Sequence, residues 1–78
     1  MTLFEALRDW RRQVAAEIDK PAYTVLSDAV LAAVAEVRPS TTMQLARIHG
    51  IGPAKIDRYG AAVLAVVARA GGAGNTTR

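Results

Sequence analysis

Proline and glycine punctuation limits what this chain can become more than any other feature of its sequence. Pro21 disfavours a helical conformation at Lys20, Pro39 closes a second apolar-periodic segment, and Gly50-Ile51-Gly52-Pro53 interrupts a third. Between these breaks the apolar residues recur at helical spacing. Short helices are the consistent reading, and 78 residues allow one domain. A chain of this length buries only about 60% of its unfolded surface, so its core must be dense in apolar side chains. It is: 51% of the residues are hydrophobic, with Ala and Val dominant. That supplies a compact bundle and leaves little room for a deep substrate cavity.

The helices can be placed one by one. Thr2 with Glu5 forms a capping box that starts the first. Leu3, Leu7, Val14 and Ile18 give it a buried stripe, with Trp10 near the same face, and it stops near Asp19. Pro21 to Leu26 reads as a short extended connection in which Tyr23, Val25 and Leu26 are partly buried. Ser27 caps the second helix, which buries Val30, Leu31, Val34 and Val37 and ends at Pro39. A third, short helix starts at Thr41, where Thr41 and Gln44 form another capping box, and turns Leu45 and Ile48 inward. Pro53 suits the first position of a fourth helix that runs to Tyr59. Gly60 is expected to break it, leaving a fifth helix over Ala61–Ala70 that packs Val63, Leu64 and Val67. The expectation is an all-α, compact bundle of five short helices over residues 1–70, followed by a flexible Gly-rich tail or linker at 71–78. Leu7, Val14, Leu31, Val34, Leu45 and Leu64 are the expected core.

Several function classes drop out. There is no cysteine, which removes disulfides and thiolate metal sites, and one histidine cannot make a zinc site alone. Neither metal nor cofactor is expected. The longest apolar stretch, Gly60 to Val67, is far short of the roughly 20 residues a membrane span needs. Glu5 and Asp9 near the start are unlike a signal peptide. The chain therefore reads as cytoplasmic, with no membrane partner. No carboxylate pair, no Ser or Cys nucleophile with a base, and no phosphate-binding loop signature appears, so it does not read as an enzyme. Ten Lys and Arg against seven Asp and Glu leave a net charge of +3, a mild lean toward polyanions.

Three groups of residues carry nucleic-acid chemistry, each with a plainer alternative. Leu45-x-x-Ile48-x-Gly50-Ile51-Gly52-Pro53-x-Lys55 has the pattern of a helix-hairpin-helix-like turn at residues 48–55. Its glycines either let the backbone approach a phosphate, with Lys55 adding charge, or merely permit a tight turn. Arg8, Arg11 and Arg12, with Lys20, form a basic face on the first helix. Glu5 and Asp9 dilute it through pairs with Arg8 and Arg12 three residues on, so a self-neutralising solvated face is the alternative. Tyr23 either stacks on an unpaired base beside Lys20 or plugs the core. Arg58 on the fourth helix completes the basic set, whereas Trp10 and Tyr59 read as packing residues and His49 as a surface residue.

Taken together, the segments resemble the helicase and RNase D C-terminal (HRDC) domain. The matching pieces are Leu3-Phe4-x-x-Leu7-Arg8-x-x-Arg11, Pro21-Ala22-Tyr23-x-Val25-Leu26-Ser27-Asp28-x-x-Leu31, then Pro39 and Leu45. Ile48-x-Gly50-Ile51-Gly52-x-x-Lys55-x-x-x-Tyr59-Gly60 followed by Leu64 completes the set, which covers residues 3 to about 69. The resemblance implies an auxiliary module outside a motor or nuclease core, one that binds single-stranded or branched DNA weakly or docks on protein, including the helicase core of its own chain. It further implies that the surface around Tyr23, with Arg8 and Lys20, is the one used for single strands. The isolated domain is expected to be a monomer. Expected parents are a bacterial RecQ-type or UvrD-like helicase or, with RNA as the partner, an RNase D.

Overall fold

The computed structural model describes residues 2–72. α1 (Leu3–Ile18) begins at the expected capping box: the Thr2 amide donates to Glu5 Oε1 (2.8 Å) and the Glu5 amide to Thr2 Oγ1 (3.1 Å). Asp19 ends it in the left-handed conformation, φ 55°, before Pro21. The connection is tighter than an extended strand, because Ala22–Thr24 forms one 3₁₀ turn. It buries Val25 and Leu26 and leaves Tyr23 73% exposed. Ser27 accepts from the Val30 amide to start α2 (Asp28–Val37). α3 (Thr42–Ala46) starts at Thr41, whose hydroxyl accepts from the Gln44 amide. The reciprocal arm of that capping box is displaced by one residue, since Gln44 Oε1 takes its bond from the Ser40 amide (2.8 Å). α4 (Pro53–Gly72) completes the fold.

The all-helical class stands, with four α-helices and one 3₁₀ turn among the described residues where five helices were expected. The difference lies at Gly60, which α4 passes through without a break. An interior glycine costs a helix about 1 kcal/mol relative to alanine, and packing outweighs that. Tyr59, Val63, Val66 and Val67 keep one buried stripe in phase across Gly60. A Cβ at Gly60 would sit at ordinary contact distance from α3, 3.7 Å from Leu45 Cδ2 and 3.8 Å from Thr42 Cγ2, and 3.3 Å from Ile56 Cγ2 of α4 itself. Gly60 faces α3 with room for a methyl group. The described helix reaches Gly72, and the rest of the segment read as a tail, 73–78, lies outside the described residues.

α1 packs against both α2 and α4, and α3 against α4. Leu7, Leu31, Leu45, Val25, Val34, Val63 and Pro39 are fully enclosed. Trp10 meets Tyr59 edge to face across α1 and α4, with ring centroids 5.8 Å apart. Of the expected core, Val14 and Leu64 are only partly buried. Val37 and Ile18, each the last residue of its helix, are exposed, because the chain turns away there before a further layer can cover them.

Candidate nucleic-acid interface

The 3₁₀ turn presents its aromatic outward. Val25 and Leu26 anchor the segment below, and the Tyr23 ring stands in solvent, so it does not plug the core. Ala22, beside it, shares an open depression with Arg8 and Arg12 of α1. Arg8 makes no ion pair among the described residues, since Glu5 turns back to the Thr2 amide, and its guanidinium lies 5.8 Å from the Phe4 ring centroid. The same Thr2 hydrogen bond is the main cause that lowers the Glu5 carboxyl pKa below the ordinary glutamate range. Arg12 pairs with Asp9, which also accepts from Gln13, so this cation is partly neutralised, as its spacing implied. Lys20 is exposed just before the turn.

Two residues assigned to the basic surface are engaged by the backbone, although Arg11 also borders the depression with Arg8 and Arg12. Arg11 is only 9% exposed. Its Nη1 donates to the Leu26 carbonyl (2.9 Å) and its Nη2 pairs with Asp28 (2.8 Å), so it ties α1 to the start of α2. Lys55 is half-buried, its ammonium donating to the Thr24 carbonyl and lying 5.8 Å from the Tyr59 ring centroid. Both cations are spent on the backbone that carries Tyr23. Arg58 is exposed but lies in a separate depression with Trp10, Gln13 and Glu17, apart from Arg8 and Arg12. Of the hairpin glycines, Gly50 has φ 101° and a Cβ there would meet Val30 Cγ2 at 2.8 Å, so the turn itself requires it. Gly52 has open space on its Cβ side and no positive φ. The fold places no steric demand for glycine there.

Comparison with known proteins fits this geometry. A family model described as HRDC domain matches residues 1–67. The chain belongs to the HRDC family. HRDC domain 3 of D. radiodurans RecQ superposes with a TM-score of 0.82 at 36% identity, covering 85% of this chain and 87% of that one. ATP-dependent DNA helicase UvrD2 of Mycobacterium tuberculosis is 43% identical over 61 residues, which is 78% of this chain and 9% of the helicase. ATP-dependent DNA helicase RecQ of Haemophilus influenzae is 34% identical over 65 residues, 83% of this chain and 10% of the helicase. The chain thus spans about a tenth of the length of these helicases. An HRDC domain is an auxiliary, non-catalytic module.

In this HRDC domain Arg8 and Arg12 border one depression with Ala22, which Glu5 and Asp9 also line, and the chain neighbours Lys20 and Tyr23 are exposed. Asp28 is the residue that sequence reasoning passed over. It reads as a first-turn acid favourable to α2, yet it is also the partner that holds Arg11. The signal for Arg11 was present in the spacing, four residues after Leu7 and four before Ala15, inside the buried stripe. Among the described residues no three His, Asp or Glu gather into a metal site, and no helix is long and apolar enough to cross a membrane.

Proposed function

We propose that this HRDC domain is the accessory nucleic-acid-binding module of a DNA helicase, engaging single-stranded or branched DNA weakly through Tyr23, Arg8, Lys20 and Arg12. The observation that carries the reading is Tyr23: a large aromatic left 73% exposed on a segment whose next two apolar residues, Val25 and Leu26, are buried. Base stacking on an aromatic face is worth about 1–3 kcal/mol and tolerates any sequence. Arg8 and Arg12 in the adjoining depression, and Lys20 two residues before the turn, supply charge for the flanking phosphates. A net charge of +3 and no deep basic channel put the affinity in the micromolar range or weaker. Relatives named as helicases favour a helicase parent over an RNase D.

A second reading has its own observation. Val37, 55% exposed at the end of α2, borders a depression with Ala33, Ile48 and His49, and Met43, 71% exposed, borders another between α3 and α4. Exposed apolar groups of this kind suit docking on protein, including the helicase core of the same chain. Amide shifts in an NMR titration with a short oligothymidylate at low salt separate the two. Shifts at Arg8, Lys20 and Tyr23 are expected. Their absence at millimolar oligonucleotide leaves protein docking as the function.

A further inference from the structure

We infer that Arg11 and Lys55 are positioning residues for Tyr23, gripping the backbone of its turn from opposite helices so that the ring is held ready for a base. The inference rests on the Tyr23 reading above. The turn has little of its own to keep it in place: the Thr24 and Val25 amides bond back to Pro21 and Ala22, and the Thr24 hydroxyl bonds to the Pro21 carbonyl. The Thr24 and Leu26 carbonyls point away from these bonds, and each is taken by a cation from a different helix. Lys55 comes from the first turn of α4 and Arg11 from the middle of α1.

The way Arg11 is used supports a positioning role. Its Nη1 donates to the Leu26 carbonyl and its Nη2 pairs with Asp28. A planar fork reaches two acceptors at fixed separation, which a lysine ammonium at the same position does not reproduce. With Val25 and Leu26 plugged into the core and two carbonyls held, the freedom left to Tyr23 is rotation of its own side chain. Binding a base then orders little else, and less ordering means tighter binding for the same contact. This also changes what Lys55 does. The hairpin lysine acts through the neighbouring turn and not on a phosphate of its own.

Arg11→Met risks unfolding the chain, so Lys55→Met, which keeps the methylene stem, carries the test, with Arg11→Lys beside it. In the free domain, backbone order parameters over residues 22–26 are expected near the rigid value of about 0.85 and should fall toward about 0.6 in either variant. Lys55→Met should weaken oligothymidylate binding about two- to tenfold. In a Tyr23→Ala background the same change should have no effect, and the salt slope should stay that of the unsubstituted chain. A turn that stays rigid in both variants overturns the positioning role, whatever the DNA result. A salt slope flattened by about 0.7 would make Lys55 a phosphate contact and overturn it as well. If Tyr23→Ala alone leaves binding unchanged, the stacking surface itself is wrong, a result the order parameters do not share.

Discussion

Arg11 shows how one side chain can be read correctly in type and wrongly in direction. Its charge suggests a solvated face, but its place four residues after Leu7 turns it inward, where Leu26 and Asp28 absorb it. Removing it leaves the Leu26 carbonyl without its buried donor, so Arg11→Met should cost about 1–3 kcal/mol in urea melts, with little recovery from Arg11→Lys. A loss within about 0.5 kcal/mol, the range of ordinary surface changes, would mean the residue is free. Glu5 behaves as its capping box implies. Its folded pKa is lowered, so its contribution is complete above the unfolded glutamate value and is lost as pH falls through the lower folded one. A carbon-detected carboxyl titration should place the Glu5 midpoint below that of ordinary glutamates, and Glu5→Gln should remove its share of the acid dependence while keeping the cap. A midpoint at or above the ordinary range would mean that the cap is open.

Gly50 and Gly52 of the α3–α4 turn and Gly60 inside α4 differ in what the elements ask of them. Gly50→Ala should destabilise by more than about 1 kcal/mol, since it combines a disallowed φ with contact against Val30. Gly52→Ala has open space and should leave the melting temperature nearly unchanged, so any loss of DNA binding there would report on phosphate approach directly. Gly60→Ala adds helix propensity, and its tightest contact, 3.3 Å to Ile56 Cγ2, is with a side-chain methyl that can rotate aside. It should stabilise by about 0.5–1 kcal/mol in thermal melts. Destabilisation by Gly60→Ala would mean that the Ile56 side chain has no room to give. The capping residues Thr2, Ser27 and Thr41 were legible because local hydrogen bonding sets them, and the stop before Pro39 because its ring and missing N–H act locally too. The continuity of α4 was hidden because a lone glycine looks like a break, while the stripe from Tyr59 to Val67 that overrides it depends on tertiary packing. The exposure of Tyr23 was hidden for a related reason: which of three neighbouring apolar residues enters the core depends on the 3₁₀ turn, and no periodicity over six residues encodes that.

At the scale of the whole molecule, a small core supports a single exposed aromatic surface. Leu31 has no exposed area, and Leu31→Ala should cost about 2–5 kcal/mol, a large part of the stability available to a domain of this size. A loss below about 0.5 kcal/mol would mean α2 does not face the core. The six basic residues expected to meet nucleic acid divide by what the bundle leaves them: Arg11 and Lys55 are engaged by backbone carbonyls, Arg58 is set apart, and Arg8, Arg12 and Lys20 remain exposed. Three cations contacting phosphates give a slope near −2 for log affinity against log salt on single strands. The ring adds a contribution that salt does not screen. The most direct measurement is therefore oligothymidylate affinity across a salt series for the unsubstituted domain and for Tyr23→Ala. The expected result is two parallel lines of slope near −2, with the Tyr23→Ala line weaker by about 1–3 kcal/mol at every salt concentration. Coincident lines, or no binding by either protein at low salt, would contradict the stacking surface.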